Sequence, residues 1–214
     1  AWASVDVTVA DVTGDSDADL TVSSVIRNWA GGGANPSYLN KAGAGTMVLT
    51  AQSTYTGGTT VNGGVLELSG GTDRIDGAVV VDGSGVVKVS NNSHNNINSI
   101  DSITLQNGGT FTDNSSGGFV QSIPATVSFN NGGTMTSTAA GNASYGNFFF
   151  HQNFSVSGSG LATISAQAIS LNGARTVTVA DTVAGAATDL LISSIVRPQN
   201  GTSLTKAGDG TMTL

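Results

Sequence analysis

Short stretches in which apolar and polar residues alternate follow glycine-containing corners throughout the chain. In two clear examples, Asn62-Gly-Gly precedes Val65-Leu-Glu-Leu, and Asp82-Gly-Ser-Gly precedes Val86-Val-Lys-Val. Glycine and asparagine tolerate the positive φ of a tight corner, and an alternation of period two indicates a strand with one buried face. The pattern therefore predicts short strands joined by tight corners.

The predicted strands recur at a nearly regular spacing. They begin at positions 46, 65, 86, 110, 134, 161, 176, 191 and 211, with no helical pattern between them. Steps of about 20 residues are too long for β-hairpins and suit the coils of a parallel β-solenoid. The predicted fold class is all-β: a single-stranded parallel β-helix (β-solenoid) of about 8–10 coils, each of roughly 20 residues.

The second residue after each corner defines a file of apolar side chains. Its predicted members are Met47, Leu66, Val87, Phe111, Met135, Ala162, Val177 and Met212. Two positions further on, a second file holds Leu49, Leu68 and Val89 and is interrupted by Asp113 and Ser137. Residues that recur once per coil stack on each other, so both files are expected to line the interior.

A long internal period relates the two ends of the chain. Lys41-Ala-Gly-Ala-Gly-Thr-Met returns as Lys206-Ala-Gly-Asp-Gly-Thr-Met, and Asp19-Leu-Thr-Val returns as Asp189-Leu-Leu-Ile. Residues 5–49 are thus echoed by residues 175–214, with a period of about 165–170 residues. We expect one continuous β-solenoid over residues 1–214. Since neither end resembles a capping unit, we also expect it to continue in a larger protein or to stack end to end.

Composition narrows the choice of partners. Only 10% of the residues are charged, the net charge is −7, and the seven Lys and Arg are scattered, so nucleic acid and anionic membranes are excluded as partners. No apolar run is long enough to span a bilayer. The absence of Cys excludes a disulfide framework. The expected partners are like modules or copies of the chain itself, joined through terminal coils, with host or matrix glycans or proteins as the alternative.

The segment 39–68 carries a recognisable motif. It contains Lys-x-Gly-x-Gly-Thr-Met-x-Leu, then Tyr-Thr-Gly-Gly, then Asn-Gly-Gly-Val-Leu-Glu-Leu. This segment resembles the autotransporter-associated β-strand repeat, which occurs in passenger regions of bacterial type V secreted proteins. The resemblance implies a right-handed parallel β-helix at the cell surface or outside the cell. It also implies a structural role as a stalk, adhesin body or surface fibre.

The motif residues have simple structural interpretations. The glycines are expected to turn corners, Tyr55 to pack inside or cap a coil, and Lys41 and Lys206 to be solvated. In Phe148-Phe-Phe, alternation directs Phe149 outward, where it either marks a contact surface or is covered by a neighbouring loop.

The sequence contains no clear catalytic constellation. Polysaccharide-degrading β-helices need convergent carboxylates, whereas Asp73 and Asp76 flank an arginine and Asp101 stands alone. His94 and His151 have no evident Ser or Cys partner. We therefore predict a non-enzymatic protein with no catalytic, cofactor-binding or metal-binding residues. A polysaccharide-binding or polysaccharide-degrading β-helix is the alternative.

Two further possibilities remain open. Asp15, Asp17 and Asp19 alternate as calcium ligands can, with Asp11 upstream, but an EF-hand loop would need Gly and an acid at positions that Leu20 and Ile26 occupy. A solvated acidic corner is the simpler interpretation. Thr-x-Thr pairs recur as in ice-binding solenoids. These pairs are Thr110/Thr112, Thr134/Thr136, Thr176/Thr178 and Thr211/Thr213.

Overall fold

The computed structural model describes residues 3–29, 35–90, 97–115, 117–185, 187–201 and 203–214. The regular elements in these ranges are strands, which we number β1 to β22. They are β1 Ala3–Thr8, β2 Leu20–Val22, β3 Ser37–Ala42, β4 Thr46–Leu49, β5 Thr59–Val61, β6 Val65–Leu68, β7 Gly77–Asp82, β8 Val86–Val89, β9 Ile100–Gln106, β10 Thr110–Asp113, β11 Gln121–Ile123, β12 Thr126–Asn130, β13 Gly133–Ser137, β14 Phe148–Phe150, β15 Phe154–Ser157, β16 Ala162–Ser165, β17 Ala168–Asn172, β18 Arg175–Val179, β19 Leu190–Ile192, β20 Ile195–Gln199, β21 Leu204–Ala207 and β22 Met212–Thr213.

The strands form three sheets in which neighbours pair in parallel. The first sheet has the order β1-β3-β5-β7-β9-β12-β15-β18-β21, and the second has the order β2-β4-β6-β8-β10-β13-β16-β19-β22. Each sheet receives one strand per turn of the chain, so nine strands enclose about eight coils. The predicted all-β parallel solenoid is confirmed, whereas its right-handedness stays a prediction.

A third sheet makes the coils longer than predicted. It has the order β11-β14-β17-β20, so four successive coils carry a third strand. The average coil contains roughly 24 residues rather than 20. The prediction also counted the strand starting near position 176 as one coil step, although β18 belongs to the first sheet and pairs with β15 and β21.

The apolar file in the second sheet is confirmed over its first five members. Met47, Leu66, Val87, Phe111 and Met135 are consecutive register partners and are buried. The later members were predicted wrongly. Met135 pairs with Ile164, not Ala162, because the preceding corner extends through Leu161, which is 44% exposed. Ile192 follows Ile164, whereas Val177 lies in the first sheet and Met212 pairs with Leu190.

The predicted interruption of the second file is also confirmed. Val89 pairs with Asp113, and Asp113 pairs with Ser137. The Asp113 side chain is fully buried, and burial raises the pKa of its carboxyl group despite the hydrogen bond from the Ser115 backbone N–H. Asn147 Nδ2 donates to Ser137 Oγ over 2.9 Å. A polar network therefore replaces apolar packing in these middle coils.

Candidate functional site

The first sheet has a cation inside an otherwise apolar file. Lys41 pairs with Val7 on one side and with Val61 on the other, and its side chain is fully buried. The expectation that Lys41 is solvated is therefore wrong. Position 41 is an inward position of β3, whose burial alternates from Ser37 onward, and a charge there must find partners inside the coil.

The Lys41 ammonium group finds these partners at the adjoining corner, residues 43–45, which we call the first corner. Nζ donates to Gly43 O over 2.8 Å and to Gly45 O over 2.6 Å. Its third bond, 2.7 Å long, goes to Gly63 O in the following coil. Burial lowers the pKa of the Lys41 amine, while the nearby Asp19 carboxylate acts in the opposite direction. One ammonium group thus joins two successive coils through backbone carbonyls.

Tyr55 packs inside the next turn, as predicted. Its side chain is fully buried, and its hydroxyl forms a 2.5 Å hydrogen bond with Thr59 Oγ1. Burial raises the pKa of the phenol. The hydroxyl therefore stays protonated and is satisfied inside the coil.

Asp19 anchors the first corner from the preceding coil. Its Oδ2 accepts the Thr46 backbone N–H over 2.8 Å. Its Oδ1 accepts the backbone N–H groups of Val12 and Thr13 over 2.8 and 3.0 Å. These bonds, that from Thr46 above all, lower the pKa of Asp19 to about 2. The carboxylate holds its own loop closed and binds the start of β4.

The same anchor recurs at Asp189. Oδ2 accepts the Thr211 backbone N–H over 2.6 Å, and Oδ1 accepts those of Thr182 and Val183, each over 2.6 Å. The Thr211 bond contributes most to lowering the pKa of Asp189 to about 2. The long sequence period is therefore also a repetition of hydrogen bonds.

The comparisons with known proteins agree with this coil geometry. Residues 39–68 match the passenger-associated-transport-repeat family. The chain carries a passenger-associated-transport repeat. The predicted resemblance to a bacterial passenger repeat is thereby confirmed. Neither a curated protein nor a solved structure matches the chain.

The matched repeat contains the lysine-centred joint. It extends from Leu39 in β3 to Leu68 at the end of β6, and it includes Lys41, the first corner and Tyr55. Repeats of this family are typically non-catalytic passenger segments, which suggests a secreted or surface protein. In the described residues, none of the elements is a helix long and apolar enough to cross a bilayer.

The acidic loop beside the repeat spends its side chains on local turns. Asp11 Oδ1 accepts the Gly14 N–H over 2.7 Å, and Asp15 Oδ1 accepts the Asp17 N–H over 2.8 Å. Asp19 points at backbone donors instead of facing these two carboxylates. In the part of the chain that the structure describes, no three His, Cys, Asp or Glu side chains are grouped as a metal site requires. Calcium binding at Asp15, Asp17 and Asp19 stays untested.

His151 has a serine partner that sequence reasoning missed. Nε2 lies 2.8 Å from Ser122 Oγ, and Nδ1 lies 3.0 Å from Asn172 Nδ2. Ser122 precedes His151 by about one coil, and Asn172 follows it by about one coil. Only the strand register brings the three together, and no motif would have found them. His94 lies outside the described residues.

The arrangement around His151 is the reverse of a nucleophilic triad. Asn172 Oδ1 accepts from Asn200, so its Nδ2 donates to His151 Nδ1. The ring proton then resides on Nε2, which donates to Ser122 Oγ. A triad needs an unprotonated Nε2 to take the serine proton. Burial lowers the pKa of the imidazole, and so does the positive charge of Arg175.

The predicted threonine array is short. Thr110, Thr134 and Thr163 are register partners in the second sheet, and Thr112 and Thr136 continue beside them into Ser165. Val86 and Lys88 occupy the preceding coil. Thr176 and Thr178 belong to the first sheet, so their predicted place in this array is wrong.

Phe149 points outward, as alternation predicts, but a loop covers part of it. Phe148 and Phe150 are buried, whereas Phe149 is half-buried. The Tyr145 ring lies 5.1 Å from the Phe149 ring, and the His151 ring lies 4.5 Å from it, between ring centroids. Of the two interpretations offered by the sequence, coverage by a neighbouring loop describes the structure.

Asp19 and Asp189 predict an acid-dependent loss of stability. Their folded-state pKa of about 2 lies below the ordinary value, so the unfolded chain binds more protons at acidic pH. Their stabilisation is complete above the ordinary carboxyl pKa of 3.8 and disappears as the pH falls towards 2. We expect the free energy of unfolding to fall less steeply over this range in an Asp19→Asn/Asp189→Asn double variant, measured by urea denaturation.

The matched control is Asp101→Asn, which changes an exposed carboxyl group. It should leave the wild-type acid dependence unchanged. Asp113 contributes with the opposite sign, because its folded-state pKa is raised, but it is present in all three proteins and cancels in the comparison. An unchanged pH slope in the double variant would contradict the assignment.

Proposed function

We propose that the chain is a non-enzymatic structural β-solenoid module of a secreted bacterial surface protein. The candidate whole proteins are an autotransporter-type passenger, an adhesin stalk and an extracellular fibre. One observation carries the proposal: the distinctive polar residues of the repeat bond to backbone groups or bury their polar atoms inside the coils. Lys41 and Tyr55 are both fully buried and hydrogen-bonded there.

The remaining charged groups support a structural role. A polysaccharide-degrading β-helix would place free carboxylates together on an outer face. Here Glu67 accepts from Lys88 over 2.9 Å and from Ser90, which uses both of its oxygens. Asp73 and Asp76 accept backbone N–H groups of Ser99 and Gly77. These carboxylates stabilise neighbouring strands and loops.

Secretion is supported by composition as well as by the repeat. A chain without Cys does not form disulfides that would have to be broken before translocation in an unfolded state. Coils that contact mainly their neighbours can fold one after another as they emerge. We therefore place the module outside the cell, at the bacterial surface.

A display experiment tests the proposal. The chain is inserted between a secretory signal and an autotransporter translocator, and its arrival at the cell surface is measured with added protease and antibody. We expect it to reach the surface and to become protease-resistant once there. Retention in the periplasm, with the translocator itself correctly inserted, would contradict the proposed passenger role.

The enzymatic alternative has a separate readout. The purified chain is incubated with a panel of acidic and neutral polysaccharides, and new reducing ends are measured. No turnover is expected. Hydrolysis that is retained by the purified full chain and lost on substitution of its own carboxylates would favour a polysaccharide-degrading β-helix instead.

A further inference from the structure

The edge formed by β21 and β22 repeats the residues of an interior joint. Leu204, Lys206 and Met212 correspond in sequence to Leu39, Lys41 and Met47. In the earlier copy these three residues are buried beneath the next coil. At the edge, Leu204 and Met212 are half-buried and Lys206 is exposed.

The corner beside Lys206, residues 208–210, has the same geometry as the first corner. We call it the second corner. Gly210 N donates to Val179 O over 3.0 Å, as Gly45 N donates to Val9 O over 2.9 Å. Lys206 Nζ donates to Gly208 O over 2.6 Å, matching the bond from Lys41 to Gly43 O. The second corner is therefore already shaped as it is in the interior joint.

The interior joint shows what such a corner receives. Above the first corner lies Gly64, where an added Cβ would be 2.5 Å from Gly43 O, 2.5 Å from Gly45 O and 2.6 Å from Ala44 O. These carbonyls leave room only for a glycine. At Gly63, by contrast, an added Cβ would meet its nearest atom at 3.5 Å. The incoming coil also supplies Gly63 O to the ammonium group and the Val65 N–H to Gly45 O.

We propose that the β21–β22 edge is a docking surface for a Gly-Gly coil of the kind formed by residues 50–69. Lys206 receives the carbonyl of the first corner glycine of that coil, and the second glycine lies over the carbonyls of residues 208–210. The apolar side chains of Leu204, Met212 and Leu214, the last 70% exposed, become buried as their counterparts are. This assignment concerns the chemistry of a surface and goes beyond the proposed cellular role.

The same geometry argues against docking of a second copy through its first coil. Val7 and Val61 are the two register partners of Lys41, so a first coil placed over β21 would put Val7 at the Val61 position. Ala10 would then occupy the place of Gly64, and its Cβ would collide with the corner carbonyls. A Gly-Gly coil is the occupant that fits.

The test extends the full chain after Leu214 with a copy of residues 50–69, which follow Leu49 in the interior joint. Lysines are acetylated with a water-soluble reagent, and the rate at each lysine is followed by mass spectrometry. In the unextended chain Lys206 should react fast and Lys41 slowly. In the extended chain Lys206 should react at least about tenfold more slowly, because its amine is enclosed in folded structure.

Two matched extensions identify the contact. Alanine in place of the glycine that copies Gly64 should leave Lys206 as reactive as in the unextended chain. Alanine in place of the glycine that copies Gly63 should preserve the protection. Slow acetylation of Lys41 in every protein shows that the remaining coils are folded.

Three results would overturn the proposal. The first is a Lys206 that stays reactive in the unmodified extension, and the second is equal protection by both alanine extensions. The third is protection of Lys206 in the unextended chain that rises with protein concentration, which would identify a second copy as the occupant.

Discussion

Replacing Lys41 with Met is expected to destabilise the protein by about 3 kcal/mol. Met conserves most of the side-chain volume but removes the only donor that Gly43 O, Gly45 O and Gly63 O share. A buried acceptor that loses its donor costs about 1–3 kcal/mol, and relief of the buried charge offsets part of the total of three. The measurement is the midpoint and slope of urea denaturation followed by circular dichroism.

Lys206→Met is the matched control, since it makes the same substitution in the same motif. Lys206 is exposed, and its described bond goes to Gly208 O. An exposed cation contributes little, so we expect a change below about 0.5 kcal/mol. Equal losses in the two variants would show that the interior ammonium group does not hold the coils together.

Replacing Gly64 with Ala is expected to have an even larger effect, a loss of at least about 4 kcal/mol. The φ of Gly64 is +58°, which an L-residue adopts only with strain. The added Cβ would also collide with three backbone carbonyl oxygens of the preceding coil. Backbone atoms cannot rotate away as a side chain can, so the two coils would have to separate at this point.

Gly83→Ala separates strain from collision. Gly83 also has a φ of +58°, but an added Cβ would meet nothing within 4 Å. We expect a loss of about 1 kcal/mol, which represents the backbone conformation alone. Hydrogen exchange at the amides of β5 and β6 should rise in Gly64→Ala and not in Gly83→Ala. Similar losses of stability in the two variants would contradict the close-approach argument.

Much of the fold follows from local pattern. Met47, Leu66, Val87, Phe111 and Met135 were placed in one interior file because each follows a glycine corner at the same distance. The file was lost at Ala162, where a longer corner contains the exposed Leu161. Alternation defines which face a residue takes, but corner length sets the register between coils, and loops of different length have no distinct pattern.

The candidate site was less predictable than the fold. Lys41 looked like an exposed charge because its environment is composed of backbone carbonyls, which every residue carries and no motif displays. The partners of His151 lie one coil before and one coil after it, at separations that vary from coil to coil. The strand register that brings them together is a property of the assembled sheets.

The sequence by itself determined the strands, their glycine corners, the parallel solenoid and the passenger-repeat motif, because these depend on residue type and local periodicity. Only the tertiary structure decided the third sheet, the burial of Lys41 and the repetition of the Asp19 anchor at Asp189. Each of these depends on contacts between coils. At those contacts, backbone groups from residues about 20 or more positions apart meet at hydrogen-bonding distance.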